Sequence, residues 1–144
     1  MLVRFVQAFI AVSVALMLFQ VAPKVDGLLW PVYTNVELQS TEVVENTEGF
    51  IPKTLVFFTF TFARQCTWEE THWYRGRPGT AIDVPTAWAK DPKPLLVGDH
   101  GESWRYIYMS PEDIRNNSYA ESIHDCYDGW LWKTKTRWWS PTER

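Results

Sequence analysis

The chain has 144 residues, enough for one domain, and a formal net charge of −3, the opposite of the basic excess that a nucleic-acid-binding surface needs. Its hydrophobic fraction of 46% is ordinary for a folded protein, whereas an aromatic fraction of 16% with nine Trp is high. Aromatic rings bury a large area each, so a small β-domain can build its core from few of them.

Residues 5–22, FVQAFIAVSVALMLFQVA, are apolar apart from Gln7, Ser13 and Gln20. As a helix they span about 27 Å, close to the hydrocarbon thickness of a bilayer. Pro23 ends the predicted helix and Lys24 follows it. Arg4 and the α-amine on the near side set the amino terminus in the cytoplasm by the positive-inside rule, and Trp30 and Tyr33 suit the far headgroup layer. A cleaved signal peptide is the alternative, with Val25 and Gly27 at the −3 and −1 positions. The apolar run is longer than a usual signal core and the A-x-A form is missing, which favours an uncleaved anchor. Residues 1–27 are therefore expected to form a single inner-membrane span in contact with lipid through residues 5–22. Residues 28–144 are expected to form a periplasmic domain, or one secreted after cleavage near Gly27.

The remainder reads as strands. YTNVELQS, residues 33–40, alternates, and the acidic stretch 41–53 with Gly49 and Pro52 reads as a loop. TLVFFTFTF, 54–62, is β-branched and aromatic, with Val56, Phe58, Phe60 and Phe62 on one face. Leu55 and Phe57 make the opposite face partly covered. A strand over 68–76 ends at Gly76, RPGT turns, and AIDVP is a short strand stopped by Pro85. Residues 86–101 read as an irregular connection. SWRYIYM, 103–109, sets Trp104, Tyr106 and Tyr108 against Arg105, Ile107 and Met109. In SPEDIRNN, Ser110 can cap a helical turn, Pro111 suits its first position, and Glu112 and Asp113 complement its dipole. YAESIHDCY and GWLWKTKTRWW are the last strands, with a tight turn at Asp128-Gly129. The fold expected is all-β, an immunoglobulin-like β-sandwich of about seven strands, preceded by one transmembrane helix.

In the last strand, Trp130, Trp132, Thr134, Thr136 and Trp138 share one face, and Leu131, Lys133, Lys135, Arg137 and Trp139 the other. One face can pack inward while Lys133, Lys135 and Arg137, with Trp139, form a candidate surface for an anionic envelope partner. A basic strand also resists edge-to-edge aggregation without any ligand. Cys66 and Cys126 are the only cysteines. Each ends a predicted strand on an oxidising side of the membrane, so a disulfide is expected. It would close a loop of about 60 residues, for which the chain-entropy model gives roughly 4 kcal/mol.

Catalytic and metal chemistry find little footing. His124 and Cys126 share a strand face, but a metal needs further ligands, and the spacing of His72, Asp99 and His100 matches no zinc pattern. An oxidised Cys126 cannot serve as a nucleophile for His124. Glu69 and Glu70 are adjacent, point to opposite faces and cannot work as paired acids. Asp99-His100-Gly101 has no accompanying nucleophile motif, and neither a phosphate loop nor a dinucleotide fingerprint occurs. No cofactor and no enzymatic activity are expected.

The motifs ARQCTWEETHWY, MSPEDIRNNSY and SIHDCYDGWLWKTKTRWW, behind a membrane helix, resemble those of small membrane-anchored proteins of tailed bacteriophages and prophage-bearing alphaproteobacteria. His124, Cys126, Trp130, Trp132, Thr134 and Thr136 occupy the places of their H-x-C, Trp and Thr-rich signature. Tyr127-Asp128-Gly129 stands where a shorter His-Pro link is expected. The resemblance implies a phage or bacterial source and a tethered, disulfide-bonded β-domain, and no activity. The function expected is that of a binding module of the cell envelope, facing an envelope protein or glycan. The alternatives are a cell-wall carbohydrate-binding or hydrolytic accessory protein using exposed Trp, and a structural component of a virion or envelope complex.

Overall fold

A computed structural model of the protein describes residues 2–45, 51–129 and 132–141. The first element, α1 (Leu2–Leu29), is long and apolar enough to cross a membrane, as a stable span or as a signal sequence. Pro23 does not end it, contrary to the expectation from sequence: the helix runs six residues further. One missing N–H is tolerated inside a helix whose other bonds hold. Pro31 is the effective stop, because the residue before a proline is pushed out of the helical region.

Eight strands follow among the described residues. They are β1 (Tyr33–Glu45), β2 (Lys53–Phe62), β3 (Thr67–Arg75), β4 (Ile82–Val84), β5 (Thr86–Trp88), β6 (His100–Tyr108), β7 (Ser118–Asp125) and β8 (Thr134–Trp139), with the one-turn helix α2 (Pro111–Asn116) before β7. They form two antiparallel four-stranded sheets, in the orders β1-β2-β6-β5 and β4-β3-β7-β8. Several boundaries differ from the sequence reading. β6 begins at His100, inside the stretch read as an irregular connection, and ends at Tyr108. Residues 41–45 are strand, because Thr41 and Val43 pair with Val56 and Thr54; cross-strand pairing overrides their acidic composition. Thr86–Trp88, placed in an irregular connection, pairs with β6 as a short edge strand. The final strand begins at Thr134, beyond the left-handed pair Asp128 and Gly129; Trp130 and Leu131 of the predicted strand lie outside the described residues, as does Gly49 of the predicted loop.

The two inner faces share one core. Phe58 of β2 lies 5.6 Å from Trp73 of β3 and 5.1 Å from both Trp138 and Trp139 of β8, measured between ring centroids. Val56, Ile107, Met109 and Ile114 complete it. Large rings meeting edge to face bury area efficiently, which is how a domain this small closes. The outer face of the first sheet is aromatic too: Phe57 stacks on its cross-strand partner Trp104 at 4.1 Å.

α1 leaves from a defined end of these sheets. At that end β1 starts beside the finish of β2 (Tyr33 opposite Phe62), β3 starts beside the finish of β7 (Thr67 opposite Asp125), and β8 starts opposite His124. The last turns of α1 lie along β8. Gly27 is required there, since a Cβ would sit 1.9 Å from the Lys135 carbonyl oxygen. Gly27→Ala is expected to separate backbone from backbone and to lower the unfolding free energy by about 1–3 kcal/mol, measured by urea denaturation monitored by Trp fluorescence.

Candidate functional site

Cys66 and Cys126 form a disulfide, with Cα atoms 4.3 Å apart. They flank the Thr67–Asp125 pair, so the link joins neighbouring strands of one sheet at the end where α1 leaves. Its loop of 60 residues predicts that reduction, or alanine at both positions, lowers unfolding free energy by up to roughly 4 kcal/mol; urea curves with and without reductant measure it.

The basic face of β8 alternates as the sequence requires, with Thr134 and Thr136 inward and Lys135 and Arg137 outward. Three features cut down its value as an anion-binding surface. Lys133, which precedes β8, is neutralised by Glu69 and by Asp125 at 3.0 Å. Arg137 pairs with Glu121 at 2.9 Å and lies over the Tyr119 ring. Trp139, placed on this face by its odd number, is 4% exposed and belongs to the core, because a register shift between Ala120 and Glu121 turns the strand end inward. On this face Lys135 is the cation left without an ion pair among the described residues.

The junction of helix and domain is built on Asp26, 4% exposed. Arg64 donates to both carboxylate oxygens at 3.2 and 3.1 Å, Tyr127 Oη donates at 2.8 Å, and Thr134 Oγ1 donates as well. Arg64 also lies 5.0 Å from the Tyr127 ring centroid. A buried carboxylate is tolerated only when its lone pairs are filled this completely. The sequence reading ends the helix at Pro23, weighs Val25 and Gly27 as a cleavage site and gives Asp26 no role. Its partners lie 38, 101 and 108 positions away, so nothing local in the sequence marks it.

A cavity of about 350 Å³ lies between the sheets at the same end. Its polar feature is Arg105 of β6, 5% exposed and pointing inward. Nε donates to Ser103 Oγ at 3.3 Å, and Nη2 reaches across to Thr71 Oγ1 of β3 at 3.2 Å. The guanidinium lies 3.6 Å from the Trp88 ring centroid. No carboxylate pairs with it among the described residues, and burial pulls its pKa down to about 10. The alternation of β6 was legible; that its arginine row faces inward while Trp104 and Tyr106 face outward was not.

His124, fully buried, also lines the cavity. Its Nε2 is 2.9 Å from Tyr33 Oη of the opposite sheet, and its Nδ1 has no partner among the described residues. Burial pushes Tyr33 up to about 12 and His124 down to about 4, so the pair is neutral near pH 7. The other residues weighed for chemistry are dispersed. His72 faces Glu70 and Asp83, His100 faces Thr61, and Asp99 accepts from the Leu96 amide. Glu69 and Glu70 serve Lys133 and His72 separately. Among the described residues no group of three or more His, Cys, Asp or Glu is placed to hold a metal ion. Of the Trp residues open to sugar stacking, Trp73 and Trp139 are buried and Trp104 is covered by Phe57. Trp68, 40% exposed, and Trp88 meet edge to face at 5.8 Å beside the cavity.

Comparison with protein-family models, curated proteins and solved structures finds no match to this chain.

His124 generates a pH prediction. Its folded pKa of about 4 lies below its ordinary 6.5, so between these values the unfolded chain binds a proton that the folded one refuses. Its stabilising share is complete above pH 6.5 and falls as pH drops towards 4, by on the order of 3 kcal/mol. Urea midpoints of the wild type should fall across that window, and His124→Gln should flatten this part of the profile.

Proposed function

We propose that the chain is a single-pass, membrane-anchored β-sandwich of immunoglobulin-like type that works outside the cytoplasm by binding an envelope partner, not by catalysis. The observation that carries this is the continuity of α1 with a disulfide-bonded domain through Asp26 and Gly27. Cleavage after Gly27 would remove the carboxylate that Arg64, Tyr127 and Thr134 share, leaving a partly buried cation without its counter-charge. An uncleaved anchor avoids that cost. The disulfide favours an oxidising compartment, and Arg4 ahead of the span favours an inward amino terminus, which together make the domain periplasmic in a bacterial host. A phage or prophage source is carried by the likeness of the motifs ARQCTWEETHWY, MSPEDIRNNSY and SIHDCYDGWLWKTKTRWW alone.

The strand orders support the immunoglobulin-like part. β1-β2-β6-β5 follows the A-B-E-D sheet, and β3-β7-β8 the C-F-G sheet, with β4 as an added edge strand beside β3. Trp73, fully buried on β3, stands where such domains carry their core Trp. The cross-link differs, since it joins two strands within one sheet and not the two sheets. A glycan-binding alternative rests on Trp68 and Trp88 only.

Membrane fractionation of spheroplasts, with protease treatment and thiol alkylation, tests this. Expected is a carbonate-resistant chain that keeps its amino terminus, is digested from outside and is alkylated only after reduction. A soluble chain beginning after Gly27 would overturn the anchor, and two alkylatable thiols before reduction would overturn the compartment.

A further inference from the structure

We propose that the cavity between the sheets binds an organic anion, with its carboxylate or phosphate on Arg105 and its apolar body against the surrounding rings. The cavity, about 350 Å³, falls at the small end of the range for ligand pockets. An arginine is seldom buried unless it is paired, and Arg105 is 5% exposed with no acidic partner among the described residues. Its bonds to Ser103 and Thr71 use Nε and Nη2. A guanidinium carries five donors in a fixed fork, and Nη1 makes no bond to another described residue. The planar fork fits a carboxylate or phosphate in two-point contact.

The walls define the rest of the ligand. Phe60, Phe62, Trp88, Leu95 and Trp138 are apolar surfaces around that one cation, so an inorganic ion would leave most of the space unmatched. Lys93 and Glu102, both exposed, stand at the rim with opposite charges, and Glu102 accepts from Trp104 on the outer face. Arg105 is thus the buried charge of the lining, and a cation would meet it with only that rim carboxylate to offset the repulsion.

The place of the cavity bears on where such an anion comes from. Tyr33, Phe62 and Cys66 line it, and these mark the end of the sheets from which α1 leaves. The bounding loop carries Leu96 and Val97, 70% and 55% exposed. It is tied to the end of β2 by Gly98 N–H to Phe62 O at 2.7 Å and Phe62 N–H to Asp99 O at 2.9 Å. Two sources share the required chemistry: an acidic lipid at the bilayer surface, and a free organic acid in solution.

The test uses the full chain in phosphatidylcholine nanodiscs, with Trp emission as readout, because Trp68, Trp88 and Trp138 line the cavity. Octanoate, 1-octanol and octylammonium match in body and differ in head. Octanoate should shift emission saturably, octanol should bind at least tenfold more weakly, and octylammonium should give no saturable change. Arg105→Met should weaken octanoate at least tenfold while leaving octanol unchanged. If that variant does not fold, the headgroup comparison on the wild type decides alone. Replacing phosphatidylcholine with phosphatidylglycerol separates the sources: a lipid ligand shifts emission by itself and blocks octanoate, whereas a soluble ligand leaves octanoate affinity unaltered. Equal affinity for octanoate and octanol, or no saturable change in either bilayer, would overturn the proposal and assign Arg105 to tying the sheets together.

Discussion

The carboxylate of Asp26 is the point on which the arrangement of this molecule turns. It belongs to the apolar helix, yet its three donors come from separate parts of the domain: Arg64 ahead of β3, Tyr127 after β7 and Thr134 at the start of β8. The disulfide sits among them, with Cys66 two residues from Arg64 and Cys126 next to Tyr127. It holds two of the three donors at fixed spacing whether or not the helix is docked. The junction is thereby preorganised, and the entropy of ordering its loops is spent largely by the cross-link. Gly27, one residue on, lets the helix backbone lie against the Lys135 carbonyl. Polar bonding and close backbone approach act on the same turn.

The interior of the domain holds two chemistries side by side. One is a dense apolar core of Phe58, Trp73, Ile107, Met109, Ile114 and Trp139. The other is a set of buried polar inward positions, Ser103, Arg105, Ser122, His124, Thr134 and Thr136, with Ser103 and Arg105 paired in register with Phe58 and Val56. A sheet filled wholly for stability would not place an uncompensated guanidinium inside, since desolvating it costs several kcal/mol and one ring contact offsets about 2 kcal/mol of that. The apolar cluster carries the packing, and the polar inward groups border the cavity beside it.

Much of this was legible from period and composition. The alternation of 54–62 fixed the inward row of β2, Ser110-Pro111 fixed the start of α2, and two cysteines at strand ends fixed the cross-link. What was not legible depended on partners distant in sequence. Thr41–Glu45 looks like a loop until β2 is beside it. Trp139 obeys strict alternation until a register shift turns it inward. Pro23 looks like a terminator because its local cost is visible and the support of the surrounding turns is not. The cavity shows the same limit most clearly: in SWRYIYM alternation separates an aromatic row from Arg105, Ile107 and Met109 without saying which is inner, and the structure puts Arg105 inside. Alternation identifies two faces, and only the opposite sheet decides which is inner.

The helix junction also fixes an order of events during biogenesis. The contact from Asp26 to Arg64 spans 38 positions, but those to Tyr127 and Thr134 span 101 and 108. The helix is made first, and its partners at positions 127 and 134 are made about a hundred residues later. Until β8 has been made, Asp26 lacks the Thr134 hydroxyl and the last turns of α1 have no strand to lie along. Synthesis of β8 is therefore the event that sets the pose of the helix against the sheets, and a molecule truncated before β8 would have no defined pose between the two.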